Sequence, residues 1–422
     1  MEQYIQRESY LRQLIARRDN GEIKIITGPR RSGKSWLLNR IYKDYLIGEG
    51  VPEENIIIVS LDTDDEEEFG DLTDRHTLKS YIYNRMLSTD SHYYIILDEV
   101  QEVDGFEKLV NGLNAKDNTD IYITGSNSHF LSSDIKTIFR GRGDEIRVYP
   151  FSFKEFCINR TEPVSELWKE YYTYGGMPGL LRQRTPEQKV SYLQRLWNKT
   201  YLDDVVERHH VKNREALSAL ADALCSSIGS LNNSNRIANV MKSVQKVDID
   251  QETVANYIGY LEEAFLFEGA KRYNVKGNKY YESIKKYYAI DIGLRNAKLN
   301  FRQVEETHLM ENVLYTDLVR RGFDVDVGVV EYNTKDSTGK SIRKQLEVDF
   351  VINRGSNRFY IQSALDIADL EKKDQETAPL RRIPDSFRKI VVVGKYMNPW
   401  NDDYGIQYVG IEQFLTNESI LS

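Results

Sequence analysis

Apolar positions in the first 150 residues fall in short, β-branched runs and not in helical stripes. "EIKIITG" (22–28), "NIIIVSLD" (55–62), "YYIILDEV" (93–100) and "DIYITGS" (120–126) are apolar at nearly every position, and "EIRVYPF" (145–151) is a shorter fifth run. Runs of this kind predict strands covered on both faces. Between them, "KSWLLNRIYKDYLI" and "FEKLVNGLNA" carry apolar residues at helical spacing. Strand–helix alternation predicts an α/β fold built on a parallel sheet, a design that places ligand sites at the carboxyl ends of its strands.

The pattern then changes. Residues 152–230 are dominated by helical stretches, "FSFKEFCI", "SELWKEYYTY", "EQKVSYLQRLWNKTYLDDVVERHH" and "REALSALADALCSSIG", broken at Gly175, Gly176 and Pro178. A helical lid with connecting helices is expected over 151–230. From 231 come "NNSNRIANVMKSV" and "DQETVANYIGYLEEAFLFEGA", then a hairpin from Ala270 to Tyr288. Two short helices and a hairpin predict a winged helix-turn-helix over 231–300. Asp250 or Gln251 opens its second helix, with Val254, Tyr257, Ile258 and Leu261 on the apolar stripe. Residues 301–422 read as a helix, "VEETHLMENVLYTDLVRRG", the strands "DVDVGVVEYN", "KQLEVDFVIN" and "RFYIQSALDI", a further helix, and the strand "RKIVVVGKY".

A length of 422 residues exceeds one ordinary core, so several domains are expected, with 1–150 as the first. A formal net charge of -8 argues against a generic polyanion binder, leaving room for a local basic face. The two cysteines, Cys157 and Cys225, are far apart and form no CxxC pair, so no zinc site or disulfide framework is expected. The N-terminal "MEQYIQRESYLRQL" lacks a signal-type apolar core, and no run reaches bilayer length, so a cytoplasmic protein without membrane contact is expected. The acidic segment "DTDDEEEFGDLTD" (62–74) reads as a solvated loop that repels nucleic acid.

The chemistry concentrates at the predicted strand ends. "GPRRSGKS" comprises Gly28, Pro29, Arg30, Arg31, Ser32, Gly33, Lys34 and Ser35, follows the first strand and opens a helix. That is the setting of a phosphate loop, in which backbone N–H groups and a helix N-terminus cradle phosphates. Lys34 would neutralise the β- and γ-phosphates and Ser35 would hold Mg²⁺. Asp98 and Glu99 end the third strand; Asp98 suits the metal and Glu99 the base that orients attacking water. Ser126 and Asn127 close the fourth strand as polar candidates for the γ-phosphate. Arg140 and Arg142 in "IFRGRGDEI" are candidates for transition-state charge, in their own chain or across a subunit boundary. Further on, Lys271, Arg272, Lys276, Lys279, Lys285 and Lys286 interleave with tyrosines on the hairpin, against the single acid Glu282. This suits phosphate contact by a wing. The preceding helix carries Glu252, Glu262 and Glu263 and no Lys or Arg, making it a poor major-groove reader.

The pieces "GPRRSGKS", "IILDEVQEVDGFEKLV", "ITGSNS", "GRGDEIRVYPFSFKEF" and "YGGMPGLL" together resemble the AAA+ superfamily of P-loop ATPases. The likeness is to the prokaryotic branch near the origin-recognition and STAND-type members, whose C-terminal half has long been catalogued as a domain of unknown function. The resemblance implies Asn127 as sensor one and Arg140 or Arg142 as arginine finger. It also implies Gly176–Met177–Pro178 as the GxP motif of the lid, and Arg7, ahead of the first strand, near the adenine. Residues 301–422 resemble the PD-(D/E)XK nuclease fold. Glu311 and Asp349 match its first two acidic positions, while "IQSAL" places Gln362 and Ala364 where the family has an acid and a lysine. Gln362 supplies no anionic ligand for a hard cation and Ala364 cannot activate a water, so this domain is expected to be an inactive relative.

The expected function is that of an ATPase with ATP and Mg²⁺ as cofactors, coupling turnover to rearrangement and to duplex DNA. The alternatives are a slow nucleotide-dependent switch that binds DNA or a protein partner, homo-oligomers included, and an ATP-regulated nuclease.

Overall fold

The computed structural model describes residues 4–62, 70–125, 139, 141–335, 337 and 339–422. The chain divides into two compact units, residues 1–150 and 151–422. The first holds five strands: β1 (Ile23–Thr27), β2 (Ile56–Ser60), β3 (Tyr93–Asp98), β4 (Thr119–Thr124) and β5 (Gly143–Arg147). They form one sheet in the order β2-β3-β4-β1-β5, every pair parallel. β1 to β4 coincide with four of the apolar runs, and β5 overlaps the fifth only over 145–147. Alternate residues feed opposite cores, as the two-residue period of a strand requires. Ile25, Val59, Ile95, Leu97 and Ile123 pack with Leu78, Leu109 and Leu113 on one side, from the helices Arg75–Arg85 and Phe106–Asn114. Ile26, Ile96 and Tyr122 pack with Tyr10, Leu14, Leu38 and Tyr42 on the other.

One charge interrupts this sheet. Lys24, on β1, is wholly buried and ion-pairs with Asp120 on the neighbouring β4. Its ammonium also donates to the Glu22 carbonyl (2.9 Å) and Asn20 Oδ1 (3.2 Å), and the Tyr122 hydroxyl donates to Asp120 Oδ2 at 2.7 Å. A buried pair satisfied to this degree is tolerated; half of one is not.

The second unit is built on a nine-stranded mixed sheet: β6 (Leu231–Asn232), β7 (Phe267–Asn274), β8 (Lys279–Ala289), β9 (Asp324–Lys335), β10 (Ser341–Arg354), β11 (Asn357–Ala364), β12 (Arg388–Val393), β13 (Trp400–Asn401) and β14 (Ile406–Gly410). Their order is β13-β14-β12-β11-β10-β9-β7-β8-β6. A continuous apolar core runs from Phe153 and Trp168 through Leu217, Leu261 and Leu314 to Phe414. The helix Gln251–Glu263 begins where predicted, capped by Asp250, which accepts from the Thr253 amide at 2.8 Å. Val254, Tyr257, Ile258 and Leu261 are all buried. The hairpin that follows does not stand free. β7 pairs in parallel with β9 from Arg272↔Val327 to Asn274↔Val329, because Ala270, Tyr273, Tyr287 and Tyr288 are apolar positions that need covering. Its basic character survives only at the tip and outer face.

The "YGGMP" segment is a close-packed junction within this unit. The Gly176 amide donates to Asp291 Oδ2 (2.8 Å), and Asp291 also caps the helix Ile292–Lys298 through the Leu294 amide (2.9 Å). A Cβ on Gly293 would stand 1.8 Å from the Tyr174 carbonyl oxygen, so this crossing admits only glycine. Burial raises the Asp291 carboxyl to about 6, against the opposing pull of the Gly176 and Leu294 amides.

Two outcomes follow from these buried charges. Lys24→Met strands the Asp120 carboxylate in the sheet and should cost about 3 kcal/mol in denaturant unfolding; a loss within error of zero would mean the pair is dispensable. Because the folded value of Asp291 lies above the unfolded one, its stabilising contribution is complete below about pH 4 and disappears as pH rises through about 6, an amount on the order of 3 kcal/mol. Relative to Asp291→Asn, wild-type stability should therefore fall across that window; parallel pH profiles would contradict the assignment.

Candidate nucleotide-binding site

The loop Gly28–Ser35 joins β1 to a helix that starts as Lys34–Trp36 and continues through π-helical turns (Leu37–Tyr42) into Lys43–Gly48. Gly28 has φ 134° and lies so close to β5 that a Cβ would stand 2.1 Å from the Val148 carbonyl oxygen. Gly33, at φ 96°, caps the helix in the left-handed region. Both positions need glycine for a physical reason. Pro29 and Ser32 are buried, Arg30 is half-buried, and Arg31 and Ser35 are exposed. The Lys34 side chain is buried and folds over the loop, its Nζ donating to the carbonyls of Gly28 (3.0 Å) and Pro29 (3.1 Å). Burial lowers its pKa, Glu99 and Asp98 pull it back up, and Arg30 adds to the lowering.

Arg7 braces the loop from outside. Buried and in the left-handed region, it donates from Nη1 to the Ser32 carbonyl (2.8 Å) and from Nη2 to the Tyr149 carbonyl (2.6 Å). Its guanidinium thus binds loop backbone, tying the N-terminal helix and the segment after β5 to the phosphate loop.

The acidic half of the site lies at the end of β3. Asp98 is buried and accepts from the Thr124 hydroxyl on β4 and from Asn39 Nδ2 (3.3 Å), with the Ser35 side chain acting on it as well. Burial raises the Asp98 carboxyl, while the Thr124 and Ser35 bonds oppose that rise. Glu99 adopts φ 54°, ψ 49°, a conformation unusual for a non-glycine residue and one that clusters at functional sites. The Thr124 hydroxyl accepts its amide at 2.9 Å, and Gln101 Nε2 donates to Glu99 Oε2 at 2.7 Å. Thr124 therefore fixes both acids, a role not foreseen from the sequence. The signal was present: a hydroxyl ends the strand adjacent to β3, in "YITGS". Asn39 and Gln101 were likewise missed.

These residues fit Mg·nucleotide. Ser35 and Asp98 offer the hard oxygen donors that Mg²⁺ prefers. Among the described residues the buried Ser32 Oγ in the loop has no hydrogen-bond partner, and the Lys34 ammonium rests on carbonyl groups that a phosphate would outcompete. Ser126, Asn127 and Arg140 lie outside the described residues. Arg142 is exposed at the amino end of β5, its carbonyl accepting the Ile23 amide at 2.8 Å. β1 runs from there to Thr27, on the order of 13 Å at strand spacing, so in its own chain Arg142 stands at the wrong end of the sheet for the phosphates.

In the second unit the six basic candidates divide. Lys271, Lys276 and Lys279 are exposed. Arg272 is half-buried, donates to Gln345 Oε1 (3.3 Å) and lies over the Tyr281 ring. Lys285 is half-buried, beside Gly269 and under the influence of Glu262. Lys286 is buried and paired with carboxylates, so it cannot belong to an outward basic face. Of the nuclease-type positions, Gln362 bonds to the Asp349 amide (3.3 Å) and to Glu376 (3.1 Å), and Ala364 sits in an apolar cluster. Among the described residues no group of three His, Cys, Asp or Glu side chains is placed to hold a metal ion. No helix among them is long and apolar enough to cross a membrane.

A family described as "AAA domain" matches residues 20–157, and one described as "Domain of unknown function (DUF8612)" matches residues 165–305. Among solved structures, AMPPCP-bound DnaA from Aquifex aeolicus aligns at 17% identity over 61% of this chain and 88% of its own, with a TM-score of 0.31. An uncharacterized protein of Methanocaldococcus jannaschii is 28% identical over 86% of this chain and 79% of its own length. An uncharacterized protein of Haemophilus influenzae is 34% identical over 97% of this chain and 98% of its own. The amino-terminal unit, a five-stranded parallel sheet with helices on both faces, is similar to the AAA domain over residues 20–157, and the chain belongs to the family of that Haemophilus influenzae protein.

Proposed function

We propose that the amino-terminal unit binds ATP with Mg²⁺ and hydrolyses it, and that turnover is coupled to binding of duplex DNA by the second unit. The observation that carries the first part is the set Lys34, Ser35, Asp98 and Glu99 gathered at the carboxyl ends of parallel strands, with Thr124 holding both acids. The loop amides and the helix N-terminus bind phosphate, Lys34 turns from the loop carbonyls to the β- and γ-phosphates, and Ser35 with Asp98 hold the metal. Mg²⁺ supplies neutralisation of phosphate charge. Glu99 orients the attacking water and accepts its proton, and its fixed backbone keeps that carboxylate at the strand end.

The DNA part rests on charge. Lys271, Lys276 and Lys279 are exposed on the β7–β8 hairpin, and Lys335 and Lys344 are exposed on the adjoining β9–β10 hairpin. Arg272 to Gln345 links the two ribbons, and Glu331, the acid between them, is engaged by Arg343, Asn274 and Tyr281. Such a strip suits backbone phosphates and not base edges.

One contact favours a second reading, a slow nucleotide-dependent switch: Gln101 holds the Glu99 carboxylate. A switch would keep the base restrained until a partner binds.

Steady-state hydrolysis tests these assignments together. Thr124→Val should retain ATP affinity and lose about 10–100-fold in turnover, the usual cost of removing a group that orients metal ligands; unchanged turnover would remove Thr124 from the site. Gln101→Ala should raise a low basal rate under the switch reading, whereas a fall would show Gln101 to be a positioning group for an active base. Lys276→Glu with Lys279→Glu should weaken duplex binding at low salt by about tenfold or more; undiminished binding would move the DNA contact elsewhere.

A further inference from the structure

A buried cluster of one ammonium and three carboxylates lies in the second unit, and neither nucleotide chemistry nor DNA contact uses it. Lys286 enters from β8 and reaches three carboxylates on two other elements. Its Nζ is 2.9 Å from Glu311 on the helix Glu306–Arg320, 2.7 Å from Glu347 on β10 and 3.7 Å from Asp349 on β10. The Tyr288 hydroxyl donates to Glu311 Oε1 at 2.7 Å, and the Ser363 amide to Asp349 Oδ2 at 2.8 Å. Lys286 is 3% exposed, and Glu311 and Asp349 are each 7% exposed. Burial alone would lower the lysine, but Glu311, Asp349 and Glu347 more than offset it and hold the ammonium charged. Burial, then the neighbouring Glu311 and Glu347, raise the Asp349 carboxyl, and Lys286 with the Ser363 amide opposes that rise.

Glu311 and Asp349 are the two positions that a nuclease of the resembled fold would give to a divalent metal. The residues here do not fit that metal. Gln362 brings an amide to the third position, Ala364 brings nothing, and an ammonium already stands among the acids.

We propose that Lys286 is the resident cation of this pocket: its ammonium substitutes for a divalent metal, pins β8 to the helix Glu306–Arg320 and to β10, and leaves the second unit working without metal. A compact cation amid carboxylates is what the pocket requires, and a lysine carried on the adjacent strand meets that need permanently. Because β8 is one arm of the hairpin bearing Lys276 and Lys279, the same contact fixes the root of that exposed basic tip.

Mn²⁺ binding to the full-length chain, followed by the EPR signal of the free ion without nucleotide, tests the proposal. The wild type should show no bound Mn²⁺ that Asp349→Asn removes. Lys286→Met should gain one Mn²⁺ per chain, lost again when Asp349→Asn is added, and should be thermally stabilised by Mn²⁺ at concentrations that leave the wild type unmoved. Lys286→Arg, which keeps the charge, should fold and gain none. An Asp349-dependent Mn²⁺ in the wild type would overturn the proposal, as would a folded Lys286→Met that gains no ion. Should Lys286→Met fold only when Mn²⁺ is present, the metal has replaced the lysine and the proposal stands; should it fail to fold under either condition, the wild-type titration decides.

Discussion

The nucleotide site depends on parallel register. Ser60 lies beside Asp98, Leu97 beside Ile123 and Ile26 beside Thr124, so β1, β3 and β4 end level with one another. Only then can a hydroxyl at the end of β4 reach a carboxylate at the end of β3, and only then does the loop leaving β1 pass over both. The close approach of Gly28 to the Val148 carbonyl holds the other flank, and Arg7 bridges the loop to the same segment. Chemistry here is a consequence of strand ends meeting, with side chains added where the backbone has already been placed.

The same sheet shows what such placement costs. Burying Asp98 and Lys34 near one another is unfavourable for each alone, since desolvation raises the acid and lowers the base. Glu99 and Asp98 offset part of that penalty for the lysine, while for Asp98 the Thr124 and Ser35 hydroxyls offset part of it and Glu99 adds to it. The second unit meets a similar problem with Lys286 among Glu311, Glu347 and Asp349, but solves it internally, using a charge of its own chain. In the first unit Lys34 and Asp98 lie at the ends of the strands; in the second, Lys286 is closed upon its own carboxylates.

Much of this was legible in the sequence wherever a local pattern decides the outcome. Five apolar runs became five parallel strands, because β-branched residues buried on both faces have few alternatives. Gly28 and Gly33 were readable because each sits at a positive φ that the loop's turn requires. Asp250 as a cap and the stripe from Val254 to Leu261 were equally local. What was not legible came from pairing at a distance. Nothing within residues 267–289 announces that β7 will join β9 in parallel, so the basic hairpin read as a free wing, and Lys286 as one of its outward charges. Arg142 looked suggestive by composition, yet register puts it at the amino end of β5. Thr124 was overlooked because a threonine closing a strand is unremarkable until its neighbour is known to end in Asp98.

If Lys34 binds the phosphates while Glu99 acts only on the water, affinity and turnover separate between their variants. ATP affinity and single-turnover hydrolysis, measured side by side for the wild type, Lys34→Ala and Glu99→Gln in Mg²⁺, test this most directly. Glu99→Gln should bind ATP as tightly as the wild type and lose hydrolysis, whereas Lys34→Ala should lose binding. Wild-type hydrolysis that survives Glu99→Gln, or ATP affinity indifferent to Lys34→Ala, would contradict that division of roles.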